Sequence, residues 1–245
     1  MRVIIAEKPS VAKNIADALH IKTKEEGCYK GQDYYVTWAF GHLLELYDAK
    51  DYDEKMKTWR MENFPFIPDK FQYKVKLSRD KKTEDHGAKK QLLCIKNLIN
   101  KEEVDAVISA CDYDREGQII ADIIFAYLKV KKPIYRLLLN EWTEKEVLKG
   151  LENIIPNKEL KSLQDAGISR QQADWLIGIN LTSVATLKYG AKGELLNIGR
   201  VLLPTLKMIY DRDIEIENFK QEPYFKLIAT FVKDDLSYQG TYTQD

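Results

Sequence analysis

Six residues, Asp112-Tyr113-Asp114-Arg115-Glu116-Gly117, follow the apolar run from Val104 to Ala110 almost without a break. A short apolar run bounded by polar residues reads as a buried strand. The carboxyl end of such a strand faces the crevice where parallel α/β sheets take ligands. In extended chain Asp112 and Asp114 point the same way, and two ionised carboxylates so close favour a cation beside them. A hard divalent ion with oxygen ligands, Mg²⁺ above all, suits this chemistry. A bare pair of spaced aspartates is more often a solvated turn and a helix N-cap. The Arg, Glu and Gly that follow, and the helical pattern from Gly117 to Leu128, favour a site instead.

The chain opens in the same manner. Val3-Ile4-Ile5-Ala6 reads as a buried strand broken by Glu7-Lys8-Pro9-Ser10, and Val11, Ile15, Ala18 and Leu19 then give a helical stripe. If the two strands are neighbours, Glu7 joins the aspartates at one sheet edge. Further strands are expected at Tyr34–Phe40, Phe71–Leu77 and Ile134–Leu139. Helices are expected at Ala88–Asn100 and from Thr143, with Glu146 completing a capping box. This order predicts an α/β fold with a mostly parallel sheet covered by helices, up to about residue 152. Residues 48–69 read as an irregular excursion.

Beyond that point the texture changes. Asn157 to Tyr189 is helical and ends at Gly190, a C-cap residue type. A second helix runs from about Val201 to Ile216 with Pro204 in its first turn. Tyr224–Val232 and Ser237–Thr243 pattern as a hairpin, which cannot bury its apolar face alone, so the chain reads as part of something longer.

Composition removes several classes. Of 245 residues 44% are hydrophobic and 31% charged, enough apolar material for a core and so not a disordered chain. No apolar run reaches a membrane span, and the N-terminus meets a charge too early for a signal peptide. Cys28, Cys94 and Cys111 lack metal-ligand spacing and favour a reducing, cytoplasmic setting without disulfides. Lys and Arg number 38, as do Asp and Glu, which argues against a uniform polyanion coat but not against a local groove. Residues 70–90 hold eight Lys/Arg against three acids, and residues 44–69 four against seven.

A phosphate-cradling Gly-x-x-x-x-Gly-Lys loop is absent, and Glu116 stands where a haloacid-dehalogenase phosphatase would want Thr or Val. The pattern of Glu7 after a first strand and Asp-x-Asp-Arg-Glu-Gly after a later one instead resembles the Toprim domain. The stretches Ala6–Ser10, Phe40–Leu46, Trp59–Tyr73, Ala173–Thr182 and Ile198–Val201 resemble the type IA DNA topoisomerases, in the topoisomerase III branch, across essentially the whole chain. The resemblance implies a Toprim (Rossmann-like) domain at 1–152, a helical domain carrying a single-stranded DNA groove at 153–219, and the first hairpin of a β-rich arch domain at 220–245.

The same resemblance implies roles. Glu7, Asp112, Asp114 and Glu116 would form the Mg²⁺ site beside a scissile phosphate, Glu7 would also move a proton to the leaving 3′ oxygen, and Lys8 would stabilise developing charge. Arg170, Asp174 and Arg200 would lie along the strand-binding groove, where guanidinium groups grip phosphate. Trp175 reads as core, and His42 as either a neighbour of the acids or a turn residue. Two positions depart from the family pattern: Leu202 replaces a Gln after Gly-Arg-Val, and Gln118 replaces a Glu, which argues against a ligand there. The attacking tyrosine of such enzymes lies in a Tyr-x-Arg context. Tyr210-Asp211-Arg212 falls inside a helix, so the nucleophile is expected beyond residue 245. The implied partners are single-stranded DNA and a helicase, in the cytoplasm at the nucleoid, with no membrane. Alternatives are a stand-alone Toprim nuclease or primase-like protein, a non-catalytic single-strand-binding module, and an α/β phosphotransfer domain.

Overall fold

The first strand, β1 (Arg2–Ala6), carries Val3, Ile4, Ile5 and Ala6, all fully buried. The computed structural model describes residues 1–243 except 79, 81 and 140. After β1 come helix α1 (Pro9–Ala18), β2 (Thr23–Glu25), β3 (Cys28–Lys30), β4 (Tyr34–Trp38), β5 (Leu44–Leu46), α2 (Ala49–Tyr52) and β6 (Tyr73–Val75). Next are α3 (His86–Ile99), β7 (Ala106–Ala110), α4 (Arg115–Leu128), β8 (Ile134–Arg136), α5 (Glu144–Glu152), β9 (Ile155–Pro156) and α6 (Lys161–Tyr189). The chain continues with α7 (Leu202–Glu217), β10 (Ile228–Lys233) and β11 (Leu236–Thr241).

Seven strands form one sheet in the order β2-β3-β4-β1-β7-β8-β9. The central pairs β4–β1, β1–β7 and β7–β8 are parallel, and the outer pairs β2–β3, β3–β4 and β8–β9 antiparallel. The expected parallel sheet is therefore present, edged by short antiparallel strands. β2, β3 and β9 were not expected from the sequence, because two- and three-residue strands have no readable period. Phe71–Leu77 was expected as a strand. Its centre, β6, pairs antiparallel with β5 in a separate ribbon outside the main sheet.

Helices cover both faces. On one, Val3, Ile5, Val107 and Tyr35 pack with Leu92, Ile95 and Leu98 of α3 and Ile120, Ile123 and Ile124 of α4. On the other, Ile4, Val36 and Ile108 pack with Val11, Ala12 and Ile15 of α1 and Val147 of α5. Alternation of side chains along each strand feeds both layers at once. Each such fully buried aliphatic side chain contributes roughly 1.5–3 kcal/mol.

The helix ends follow their local chemistry. Asp85 caps α3 by accepting from Ala88 N–H at 2.8 Å, and Thr143 Oγ1 accepts from Glu146 N–H at 3.4 Å. Only this hydroxyl half of the expected capping box is formed at α5; the complete reciprocal box occurs at α2, between Asp48 and Asp51. Gly190 does cap α6, but with φ −71 rather than a left-handed turn.

The chain divides into two compact units, Met1–Arg200 and Val201–Asp245. In the second, Pro204 sits in the first turn of α7, and the β10–β11 hairpin stacks Phe231 on Tyr238 with centroids 5.2 Å apart. Among the described residues no helix is long and apolar enough to cross a membrane.

Candidate functional site

The parallel pairing of β1 and β7 decides which residues meet. Its register sets Ala6 beside Ala110, so both chains leave the sheet at the same edge. One residue on, Glu7 Oε2 accepts the backbone N–H of Asp112 at 3.2 Å. Lys8 Nζ lies 3.5 Å from Glu7 Oε1 and 3.8 Å from Asp112 Oδ2. Two carboxylates from distant parts of the chain thus already share one cation, the Lys8 ammonium.

Asp114 and Glu116 are engaged differently. Asp114 caps α4, its Oδ1 accepting Gly117 N–H at 2.7 Å. Glu116, in the first turn of α4, has Oε2 3.9 Å from His42 Nε2 and Oε1 3.6 Å from Arg170 Nη1. Burial pulls the His42 imidazole below its usual value, while the charges of Glu116 and Glu7 oppose that shift. Among the described residues no three Asp, Glu, His or Cys side chains gather into a complete metal cage. The donor chemistry nevertheless fits a hard divalent ion. Mg²⁺ is characteristically held by one or two carboxylates, its other positions taken by water and substrate phosphate, and Glu7 with Asp112 meets that minimum.

The loop is held from behind by a group that the sequence did not reveal as functional. Arg136, fully buried at the end of β8, donates from Nη1 to the carbonyls of Ser109 (3.2 Å) and Cys111 (2.8 Å) and from Nη2 to that of Asp112 (2.7 Å). Its Nε donates to Gln118 Oε1 at 3.0 Å. The Gln118 amide in turn donates to Asp122 Oδ2 and Asn157 Oδ1 at 2.8 and 2.9 Å, and Asn157 donates to Asp122 Oδ1 at 2.7 Å. Burial lowers the tendency of Arg136 to hold its proton and pushes the Asp122 carboxyl up. A charged residue inside the apolar stretch 134–139 was the available signal, since buried arginine is rare unless paired. Gln118 is thereby tied through Arg136 to the backbone of the acidic loop.

Two glycines permit the approach. A Cβ on Gly117 would stand 2.2 Å from the Asp112 carbonyl oxygen, so the turn into α4 can close only without a side chain. A Cβ on Gly167 would stand 2.5 Å from Ile119 Cγ2 and 2.7 Å from the Arg115 carbonyl. At this crossing α6 presses on the start of α4, and three residues on, Arg170 reaches Glu116.

Arg170 Nε lies 3.8 Å from Asp174 Oδ2, and Arg200 Nε donates to Asp174 Oδ1. The three expected groove residues are therefore one chain of charge, continuous with Glu116. The Arg200 guanidinium beside Asp174 holds that carboxyl below its ordinary value. Next to this chain opens a cavity of about 900 Å³, lined by His42, Lys50, Lys74, Lys76, Gln171 and Trp175 with Glu45 and Asp48 among them. Half-buried Trp175 meets Tyr52 and Phe71 edge-on, at centroid distances of 6.3 and 5.7 Å, and Phe66 at a tilt, at 6.1 Å, forming an aromatic cluster. Asn180 fastens the same excursion to α6, accepting Phe66 N–H at 2.6 Å and donating to its carbonyl at 2.9 Å. Tyr210 lies within α7.

Known proteins are similar to this chain along nearly its whole length. The Toprim domain family matches residues 2–142, and the DNA topoisomerase family residues 158–244. DNA topoisomerase 3 of Bacillus cereus (strain ATCC 14579) is 39% identical over 238 residues, which are 97% of this chain and 31% of that protein. DNA topoisomerase 3 of Staphylococcus aureus (strain USA300) is 39% identical over 228 residues, 93% of this chain and 30% of that protein. The solved full-length topoisomerase I of Thermotoga maritima superposes with a TM-score of 0.61 at 25% identity, covering 97% of this chain and 34% of its own. The chain spans less than a third of the length of these two curated relatives.

Proposed function

The chain belongs to the Toprim domain family, and on that premise we propose that it supplies the cation-binding edge and part of the single-strand groove of a type IA DNA topoisomerase. Such an enzyme cuts one DNA strand, passes another through the gap and reseals it without ATP. The observation that carries this reading is the meeting of Glu7 and Asp112 around Lys8 at the β1–β7 edge.

Glu7, Asp112, Asp114 and Glu116 are proposed as the acidic set for Mg²⁺, which when bound would neutralise and orient a phosphodiester. The residues of the chain do the rest. Lys8 places an ammonium where a phosphate would meet the two carboxylates, and favours negative charge building on it. Glu7, whose Oε2 accepts the Asp112 N–H, is proposed to hand a proton to a leaving 3′ oxygen. Arg170, Asp174 and Arg200 continue the path of the strand. The attacking tyrosine is proposed to come from the length of the relatives that this chain does not span. The division into 1–152, 153–219 and 220–245 is proposed on the same footing, as are a helicase partner and a nucleoid location.

Binding of a fluorescent single-stranded oligonucleotide, followed through a salt series with Mg²⁺ or chelator, tests the reading. Affinity should fall steeply with salt, exceed that for a duplex of equal length, and leave supercoiled plasmid unrelaxed. Equal duplex binding, or no binding at low salt, would overturn it. Metal-dependent nicking lost in Asp112→Ala would favour the stand-alone nuclease instead.

A further inference from the structure

Away from the acidic edge, two of the three free cysteines meet on the opposite side of β4. Cys28 is buried in β3, opposite Thr37 of β4. Cys94 lies on α3, one turn after Gln91, and is packed against the core cluster that contains Cys28. Between them the chain turns at Gly27, whose φ of +80 is a conformation glycine favours. A Cβ there would stand 2.7 Å from Cys94 Sγ, so the thiol rests directly on the turn that precedes Cys28. Cys94 Sγ also donates to the Glu26 carbonyl at 3.6 Å.

Access is unequal. Cys94 and Cys28 both line a cavity of about 510 Å³ together with Glu26, Trp38, Phe40 and Lys90, but Cys94 is partly exposed whereas Cys28 is 2% exposed. The two thiols also differ in how readily each loses its proton. The neighbouring Cys94 thiol and burial push the Cys28 thiol up, and the neighbouring Cys28 thiol draws that of Cys94 down. A partly exposed sulfur of lowered pKa backed by a second, buried sulfur is the arrangement in which thiol–disulfide exchange proceeds.

We propose that Cys94 and Cys28 form a modification site for small disulfides, in which Cys94 is attacked first and Cys28 resolves the adduct into an intramolecular disulfide. Cys94, deprotonated, attacks one sulfur of the small disulfide. The S–S bond of the reagent breaks, one thiolate leaves and takes up the proton, and a mixed disulfide forms on Cys94. Cys28 then gives up its proton, its sulfur bonds to Cys94 Sγ, and the second small thiol departs. Two electrons pass from the protein pair to the reagent, which ends as two thiols. This inference does not depend on the nucleic-acid reading.

Oxidised glutathione is the probe, applied to the native full chain and followed by peptide mass spectrometry without reduction. The expected product is a peptide pair linked through Cys28 and Cys94, with Cys111, fully buried, unchanged. Cys28→Ala should stop at a stable glutathione adduct on Cys94, and Cys94→Ala should leave Cys28 unreacted. With a maleimide, native Cys94 should label about tenfold or more faster than Cys111. Retention of all three thiols, separate adducts on Cys28 and Cys94, or equal labelling of Cys94 and Cys111 would overturn the proposal. Circular dichroism confirms folding of each variant, and if Cys28→Ala does not fold, the linked peptide in the unaltered chain and its loss in Cys94→Ala decide the matter.

Discussion

Arg136 Nη2 donates to the carbonyl oxygen of Asp112 at 2.7 Å, so a buried side chain on β8 fixes the backbone of the acidic loop that follows β7. The same guanidinium holds the carbonyls of Ser109 and Cys111. Replacement by Met keeps much of the volume and leaves these acceptors and Gln118 without a donor. Arg136→Met should lower stability by about 3 kcal/mol or more, seen as a reduced urea midpoint. Arg136→Lys, unable to reach three carbonyls from one planar group, should recover only part of it.

Asp114 separates two roles that one residue can carry. Asp114→Asn keeps a side-chain oxygen for the Gly117 N–H and should leave stability nearly unchanged, whereas Asp114→Ala should cost about 1 kcal/mol through the lost cap. If Asp114 also contributes to cation binding, Mg²⁺ titration by calorimetry should weaken in both variants. Weakening in the Ala variant alone would assign Asp114 to capping.

Gly167 tests whether the crossing of α6 over α4 brings Arg170 to Glu116. Gly167→Val must displace either Ile119 or the Arg115 carbonyl, and overpacking of this kind costs roughly 1–3 kcal/mol. The thermal midpoint should fall, and binding of a single-stranded oligonucleotide should fall with it. Loss of stability with full binding would show that Arg170 does not need this contact.

Asp174 sets a pH dependence. Its carboxyl is held low first by the hydrogen bond from Arg200 and then by its charge. A carboxyl depressed in the folded state stabilises above its unfolded pKa, and this contribution is lost as pH falls through the folded value. Arg200→Gln should move the Asp174 titration upward, measurable by carboxyl-carbon NMR. The same variant, and Arg170→Gln, should each reduce the salt slope of oligonucleotide binding by about 0.7 if each contacts one phosphate.

Asn180 should matter to the excursion over residues 48–69 rather than to the sheet. Asn180→Leu removes both hydrogen bonds to Phe66, a loss of roughly 1–3 kcal/mol. Hydrogen exchange should quicken around Phe66 while β1 and β7 stay protected.

The sequence by itself determined the central strands and the helices that cover them. Val3–Ala6 and Ala106–Ala110 are largely apolar and buried, and each stops at residues that cannot follow into the core. Local chemistry was enough for this, because strand burial and helix periodicity are settled within a few residues. The capping of α4 by Asp114, which the sequence pattern ranks below a site, is seen only in the structure. Only the tertiary structure decided that β1 lies beside β7, and so that Glu7 meets Asp112 across 105 positions of chain. It also decided that Arg136 grips the loop from behind, that Asn180 holds Phe66, and that Cys94 rests against the Gly27 turn. Those contacts join residues whose spacing in the sequence carries no period. They exist because the sheet and the packed helices close the distance, and burial then makes each unpartnered polar group too costly to leave alone.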